Sequence, residues 1–293
     1  MIHFFLKSIG FRQIQKNEDL YEILDEVVYH PDERFMDRDS HGNDFACFSK
    51  YVGNDMGISV CGSFMEGNKF RMEYYYPFFI GSNVTTDEEV EIEHHVSNES
   101  CYGICDELKM GIPLVFYINN IQDIRSAAKS EEESVFAGHT IISGLAEKGK
   151  ILFPIMKNRE LSKIKQKSSD KRMNLMMQAR DGDRSAMENL TLRDMDTYAA
   201  ISRRVVKEDI LSIVESSIIP YGVESDQYTV IGEIQKFRTM RNPATGEDIY
   251  ILKLLCNGLI FDICINALDL YGEPEVGRRF KGRIWMQGHV SVE

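Results

Sequence analysis

The stretches Asp248-Ile-Tyr-Ile-Leu-Lys-Leu-Leu-Cys256 and Leu259-Ile-Phe-Asp-Ile-Cys-Ile-Asn266 decide the fold of the C-terminal part of this chain. In the second stretch every odd-numbered residue is apolar, which is the two-residue period of a half-buried strand. Asn257 and Gly258 separate the two stretches, and Asn-Gly between apolar strands is the strongest short-range signal of a hairpin. The sequence therefore predicts an antiparallel β-hairpin at this place.

Two further alternating stretches flank the hairpin. They are Tyr228-Thr-Val-Ile-Gly-Glu-Ile-Gln-Lys-Phe237 and Arg279-Phe-Lys-Gly-Arg-Ile-Trp-Met-Gln-Gly288. The turn residues Asn242-Pro-Ala-Thr-Gly246 lie between the first of them and the hairpin. Four strands joined in this way predict a small, strongly curved antiparallel sheet or β-barrel over residues 223–293.

The N-terminal part is predicted to be an acidic antiparallel sheet with helices over residues 1–157. The pattern predicts a strand over 4–11 and then a helix that begins near Asn17 and buries Leu20, Leu24 and Val27. Further strands are predicted at 45–52, 57–65, 69–80, 90–96 and 111–119, and a short helix at 121–129. A long hairpin is expected to join 138–146 to 150–155 through the turn residues Glu147-Lys-Gly149.

A helical connector is predicted between these two parts, over residues 158–222. It begins in a basic segment, 157–172, with seven bases and two acids, which favours a solvated connection over a phosphate- or partner-binding face. Apolar residues at helical spacing follow up to Pro220. The whole chain is therefore expected to be an α+β protein with an N-terminal sheet, a helical connector and a C-terminal small β-barrel.

Composition and charge narrow the possible classes of protein. The 293 residues are 43% hydrophobic, and no apolar run is long enough to cross a membrane, so we expect a cytoplasmic protein without membrane contact. Residues 1–120 contain 21 acids and 9 bases, which accounts for the whole net charge of −12. This part should repel nucleic acid and anionic membranes. The cysteines in strand-like runs, Cys47 among them, are expected to be free thiols.

The nearest approach to a metal site is a group of histidines and cysteines: His94, His95, Cys101 and Cys105. Their spacing departs from that of zinc sites, and two packed thiols on a helix are the simpler interpretation. A second hypothesis starts from the order strand, helix, three strands over residues 3–80, which is the layout of a glyoxalase-like (vicinal-oxygen-chelate) module. In that fold His3 and Glu73 would be the metal ligands of an enzyme.

Basic and aromatic residues of the C-terminal part suggest a different function. Single-strand binders with oligonucleotide-binding (OB) barrels combine a basic groove with aromatic stacking platforms. The candidates here are Arg278, Arg279, Lys281, Arg283, Lys236, Arg238 and Trp285. Against this hypothesis, residues 228–293 contain eight acids and eight bases, so an OB-like structural or interaction barrel is the commoner interpretation.

The sequence contains no catalytic signature of the nucleophile-elbow, zincin or kinase type and no phosphate-binding glycine loop. We therefore expect no catalytic residue and no cofactor. The leading hypothesis is a non-enzymatic binding or scaffolding protein that recognises an unidentified protein partner. The alternatives are a protein associated with single-stranded nucleic acid and a metal-dependent enzyme of glyoxalase-like architecture.

Several motifs resemble those of a known family. They include Ala179-Arg-Asp-Gly-Asp183, Leu190-Thr-Leu-Arg-Asp-Met-Asp-Thr-Tyr198, Gly272-Glu-Pro-Glu-Val-Gly-Arg-Arg-Phe-Lys-Gly282 and Trp285-Met-Gln-Gly288. Together they resemble an uncharacterised family of intracellular proteins from anaerobic Gram-positive bacteria. The resemblance implies a cytoplasmic location, and it transfers no activity and no catalytic residue.

Overall fold

The structure is a computed structural model, and it describes residues 2–38, 42–65, 67, 69–95, 99–107, 110, 112–128, 135–136, 138–155, 171–205, 210–222 and 226–291. The helices there are α1 Asn17–Tyr29, α2 Ile121–Ala128, α3 171–180, α4 Arg184–Val205 and α5 Ile210–Ile213, with 3₁₀ helices at Phe4–Ile9 (η1) and Ala267–Asp269 (η2). None of these helices is both long enough and apolar enough to span a lipid bilayer.

The strands follow one another in chain order. They are β1 Glu33–Arg38, β2 Asp44–Gly53, β3 Met56–Met65, β4 Lys69–Phe79, β5 Val90–His94, β6 Cys101–Cys105, β7 Leu114–Ile118, β8 Val135–Phe136, β9 Thr140–Leu152, β10 Ser217–Pro220, β11 Gln227–Arg241, β12 Asp248–Cys256, β13 Leu259–Asn266, β14 Leu270–Tyr271 and β15 Arg279–Val290. The α+β class is therefore confirmed.

Five strands close the expected C-terminal barrel. The pairings run β11–β12–β13–β9–β15 and return to β11, and all are antiparallel except the parallel pair β13–β9. The hairpin is confirmed: β12 and β13 are joined by Asn257 at φ 50° and Gly258 at φ 84°, the left-handed conformations that a two-residue turn requires. Beyond the barrel the same sheet continues from β15 through β7, β6, β5 and β8.

The predicted hairpin at 138–155 is wrong, because β9 runs unbroken from Thr140 to Leu152. The register with β15 shifts at Glu147, so this residue forms a β-bulge instead of a turn. Gly149 is required for packing: a Cβ atom there would lie 2.2 Å from Cε2 of Phe280. The expected division at residue 157 stays a prediction, and β9, which precedes it, pairs with three strands that follow it, β13, β14 and β15.

The small sheet consists of β1, β2, β3 and β4 in that order, all antiparallel. The strands predicted at 45–52, 57–65 and 69–80 are thereby confirmed. Cys47 and Cys61 lie directly opposite each other on β2 and β3, with Cα atoms 4.2 Å apart, and form a disulfide. The expectation that both are free thiols is wrong, since the register that makes them neighbours is not visible in the sequence.

The predicted strand over 4–11 is also wrong, because these residues form η1. The backbone N–H of Phe5 donates to the imidazole of His3 at 3.4 Å, and Gly10 ends the turn at φ 89°. A helical turn lets neighbouring apolar residues of the segment reach the core together, where a strand would send alternate residues to opposite faces. The glyoxalase-like layout needs a strand at this place, and these residues do not supply one.

Two cores hold the molecule together. One fills the barrel and includes Phe261, Phe280 and Met286; the other lies between the small sheet, α1, η1 and the outer face of the barrel. Successive side chains of β15 pack alternately into the two cores. Trp285 belongs to the second core, and its two neighbours in the sequence belong to the first. Trp285 therefore sits where the two sheets meet.

The helical connector is described only in part, because residues 158–170 and 206–209 lie outside the described ranges. The charged segment 157–172 lies mostly outside them too. Residues 171–180, α4 and α5 are helical, as the apolar spacing predicts. The last residues of the expected connector form β10, which extends the barrel sheet by pairing with β11.

Candidate functional site

A cavity of about 280 Å³ lies at the junction of the two sheets. Its walls come from η1 and the residue before it, from β4, from the β5–β6 hairpin, from β7, from the start of β11 and from β15. The lining residues are His3, Phe4, Phe5, Tyr74, Tyr75, Tyr76, His95, Ser100, Tyr102, Tyr117, Asp226, Gln227 and Trp285. Segments far apart in the sequence thus converge on one concave site.

Aromatic rings form a continuous series around this cavity. The ring of Trp285 lies 4.9 Å from that of His3 and 5.0 Å from that of Tyr117, measured between centroids. The series continues from Tyr117 to Tyr102 at 6.0 Å and from His3 to Tyr75 at 6.1 Å. The planes are tilted or perpendicular, with angles of 41° to 86°, so that some rings present faces and others present edges.

A few polar groups are placed within this aromatic wall. The indole Nε1 of Trp285 donates to Oδ2 of Asp226 at 2.6 Å, and the carboxylate itself is buried. The hydroxyl of Tyr75 accepts from the backbone N–H of His3 at 2.5 Å. The hydroxyl of Tyr74 is buried and has no hydrogen-bond partner in the described part of the chain. A buried hydroxyl without a partner costs about 1–3 kcal/mol.

Burial shifts the pKa of several titratable rings of the cavity in the direction that favours the uncharged form. It raises the pKa of Tyr74 and of Tyr117 and raises the pKa of Tyr76 to about 12. His3 is half-buried as a residue, but its ring packs against Trp285 and Tyr75, and burial lowers its pKa to about 4. The phenols are therefore hydrogen-bonding groups and the imidazole is neutral.

Acidification is expected to destabilise the protein through His3. Its pKa is about 4 in the folded state and about 6.5 in an unfolded chain, so below pH 6.5 the unfolded state binds more protons. The contribution of His3 to the free energy of unfolding should fall by about 1 kcal/mol between pH 7 and pH 5.5. This loss should continue toward pH 4 and stop below it, while above about pH 7.5 His3 adds almost no pH dependence.

Urea unfolding of the wild type and of His3→Gln over this pH range would measure that contribution as the difference between the two proteins. The comparison is needed because burial also lowers the pKa of His289, which both proteins retain. A difference that does not change with pH would contradict the assignment to His3.

The structure separates the basic residues that were candidates for binding nucleic acid. Arg279 is buried, and its guanidinium donates to the carbonyls of Phe153, Leu211 and Val214 at 2.5–3.0 Å. It holds the end of β9 and the helix α5 against the barrel. Trp285 is buried in the second core, so it lies in the cavity wall and not on a stacking surface.

The other candidates lie on the surface or are partly buried, and several are paired with acids. Arg283 lies 3.5 Å from Glu147 and stacks on Tyr221, with 4.1 Å between its Cζ atom and the ring centroid. Arg278 pairs with Glu275 at 2.6 Å and Arg238 with Asp55 at 2.9 Å, whereas Lys236 is exposed on β11 and Lys281 is half-buried on β15. Nucleic-acid binding by these residues stays a prediction.

The residues considered for a metal site are also distributed over separate places. Cys101 and Cys105 lie on strand β6, not on the helix expected for two packed thiols, and four strand residues place them about 13 Å apart. His94 Nδ1 lies 3.3 Å from Cys101 Sγ, while His95 lines the cavity, and Glu73 accepts from the hydroxyl of Ser63 at 2.6 Å. Within the described residues no three His, Cys, Asp or Glu side chains are grouped as metal ligands.

Sequence reasoning found three of the lining residues, His3, His95 and Trp285, but assigned them to other sites. It missed the tyrosines of β4 and Asp226. Three consecutive tyrosines, Tyr74 to Tyr76, were the available signal, since a strand rarely needs aromatic side chains on both faces unless both faces are covered. Asp226 had no local signal, because only the fold brings it to Trp285.

The comparisons with known proteins identify a family and nothing closer. No curated protein matches the chain, and no solved structure does. The family model described as "Domain of unknown function, E. rectale Gene description (DUF3881)" matches residues 6–288, which run from η1 to β15 and include the cavity lining except for His3, Phe4 and Phe5. The expected resemblance to an uncharacterised family is confirmed, and the chain belongs to this family of unknown function.

Proposed function

We propose that this protein is a non-enzymatic binding protein and that the aromatic cavity is its ligand site. The observation that carries the proposal is the convergence of aromatic rings around a cavity that is also lined by the buried carboxylate of Asp226. Small-molecule sites are mostly concave and apolar, with a few polar groups that fix orientation. The cavity, with its aromatic walls and few polar groups, has the composition of such a site.

The size of the cavity suits a small ligand. Its volume of about 280 Å³ is just below the roughly 300–1,000 Å³ typical of ligand pockets. Ring faces supply dispersion contacts to such a ligand. A protein chain could enter such a volume only with a single side chain.

The test uses Trp285, the single tryptophan of the sequence, as a reporter in the cavity wall. A set of small neutral, cationic and anionic fragments would be titrated while indole fluorescence and ligand NMR signals are recorded. At least one fragment should bind saturably, and Tyr102→Ala should weaken that binding. The matched control is Tyr271→Ala, a change of the same chemistry at a side chain that is 75% exposed and distant from the lining.

Two outcomes would contradict the proposal. Either no fragment binds at millimolar concentration, or binding is as strong in Tyr102→Ala as in Tyr271→Ala. Tyr102 is half-buried at the edge of the cavity, so its loss is expected to leave the fold intact, and circular dichroism of both variants would verify this.

A second candidate function is recognition of a protein partner through α4. Several large apolar side chains of this helix are exposed: Met187, Leu192, Met195 and Tyr198. Exposed apolar groups on one helix suit an interface with another protein. If α4 is the contact, a partner captured by the wild type should be lost from the double variant Met195→Lys, Tyr198→Lys and retained by Tyr271→Lys.

A further inference from the structure

A second concave site lies between α1 and the small sheet, and we call it the α1 groove. It shares no lining residue with the aromatic cavity. Its volume is about 650 Å³, which is within the roughly 300–1,000 Å³ typical of small-molecule sites. The groove is therefore large enough for a ligand of its own.

The floor of the α1 groove is apolar and partly open to solvent. The small sheet contributes three phenylalanines and two methionines, which are Phe48, Phe64, Phe70, Met36 and Met72. Both methionines are exposed, as are Tyr21 and Tyr29, which line the groove from α1. Covering this apolar surface is favourable, and the flexible thioethers can adapt to the shape of an alkyl chain. The floor therefore suits an extended apolar ligand.

Two basic side chains line the same groove, Arg34 on β1 and Lys69 at the start of β4. Within the described part of the chain neither of them forms a salt bridge, whereas Lys50 and Arg71 of the same sheet pair with acids. Asp25 is the only acid among the described lining residues, so two bases and one acid give this lining a formal charge of +1. This contrasts with the net charge of −12 over residues 1–120. The groove therefore favours an anionic group.

Arg34 is held at the floor of the groove and is available to an anion. Its Cζ atom lies 5.3 Å from the ring centroid of Phe48, which is buried. The acids that precede Arg34 have another partner, since Asp32 accepts from the backbone N–H of Tyr51 at 2.7 Å and Glu33 from its hydroxyl at 3.1 Å. A guanidinium matches a carboxylate through two parallel hydrogen bonds. Arg34 therefore offers a carboxylate site beside an apolar floor.

We propose that the α1 groove binds a single-chain alkyl carboxylate of the fatty-acid type. The carboxylate lies on Arg34 and the chain covers the phenylalanines and methionines of the floor. Lys69 is on the opposite edge strand, and three strand spacings of about 4.8 Å separate β1 from β4, so one carboxylate engages one of the two cations. Arg34 is the better anchor because the ring of Phe48 orients it. This site is separate from the aromatic cavity and takes a ligand of different chemistry.

Other classes of ligand fit the α1 groove less well. An organic cation would be repelled by Arg34 and Lys69. A sugar or a nucleotide would place many polar groups against rings and thioethers that cannot pair with them. An alkyl carboxylate has one charged end and one apolar chain, which is the combination that the lining presents.

The experiment titrates octanoate, decanoate and octan-1-ol into the full chain, below their micelle-forming concentrations, with calorimetry and ligand NMR as readouts. Octanoate should bind at least tenfold more tightly than octan-1-ol, because the chains are equal and only the carboxylate forms charge-assisted hydrogen bonds with Arg34. Decanoate should bind about tenfold more tightly than octanoate, because two more methylene groups are buried.

Two variants with matched controls separate the parts of the site. Arg34→Gln should weaken decanoate about tenfold or more and leave octan-1-ol unchanged. Its control is Arg71→Gln, the same change of charge on the same sheet at a residue that does not line the groove. Met36→Glu puts a carboxylate on the floor and should weaken decanoate at least tenfold. Its control is Met65→Glu, since Met65 is also exposed on this sheet and lies outside the lining.

Several results would overturn this inference. The carboxylate assignment fails if octanoate and octan-1-ol bind equally, or if Arg34→Gln and Arg71→Gln bind decanoate equally. The groove fails as the site if decanoate does not bind at millimolar concentration, or if Tyr102→Ala abolishes binding that Met36→Glu retains. A dimer in sedimentation velocity that Met36→Glu dissociates and Met65→Glu does not would assign the groove to a second copy of the chain. The fragment test of the aromatic cavity does not depend on these results.

Discussion

Replacing Phe280 by alanine is expected to lower the free energy of unfolding by about 3–5 kcal/mol. The ring is fully buried inside the barrel and lies against the backbone of two glycines. A Cβ atom would come within 2.2 Å of this ring at Gly149 and within 2.4 Å at Gly282. These positions have no side chains that could move into the space, so most of the cavity left by the ring should persist.

Urea or guanidinium unfolding of Phe280→Ala would measure this loss. The matched control is Phe153→Ala, because that side chain is 81% exposed and its removal should change stability by less than about 0.5 kcal/mol. The slope of the free energy with denaturant should stay the same in all three proteins, which would show that the change is one of stability. A loss below about 1 kcal/mol in Phe280→Ala would contradict the assigned packing.

Replacing Asn242 by alanine is expected to cost about 3 kcal/mol, because this fully buried side chain joins the loop after β11 to η1. Its amide Nδ2 donates to the carbonyl of Ile9 at 2.8 Å, and its Oδ1 accepts from the backbone N–H of Ala244 at 2.9 Å. Alanine removes both bonds and leaves a buried carbonyl and a loop amide without partners.

The variant Asn242→Asp separates these two contributions. It keeps the acceptor for the loop and loses the donor to Ile9, so it should be destabilised about as much as Asn242→Ala, because a carboxylate then faces the Ile9 carbonyl. Asn174→Ala, on the exposed side of the helix 171–180, is the control and should change stability by less than about 0.5 kcal/mol. Thermal or urea unfolding would measure all three, and an Asn242→Ala protein as stable as the control would refute the expected role.

The C-terminal strands could be predicted because their information is local. Two-residue apolar alternation and the Asn257-Gly258 turn are properties of neighbouring residues, and the structure has the hairpin at that place. The same local reasoning failed at Glu147-Lys-Gly149, which has turn-like composition but forms a β-bulge in one long strand. There the packing of Phe280 on Gly149 outweighs local preference, and that contact joins residues more than a hundred positions apart.

The candidate site could not be predicted, because every contact that builds it is long-range. His3 meets Trp285, Tyr76 meets Tyr117, and Asp226 accepts from Trp285 only after the two sheets have packed together. The sequence shows each of these residues as an ordinary apolar or polar position in a strand or turn. Their protonation also depends on the packing, since burial lowers the pKa of His3 to about 4.

The amino-acid sequence by itself determined the α+β class, the C-terminal barrel strands, the acidic N-terminal part and the family. These follow from periodicity, turn chemistry, charge and motif identity, which can be read without knowing which distant segments pack against each other. Only the tertiary structure decided that β9 completes the barrel, that residues 4–9 form a 3₁₀ helix, and that aromatic side chains enclose a cavity around Asp226. The physical reason is that burial and side-chain contact arise from packing between distant segments, and packing can override local preference.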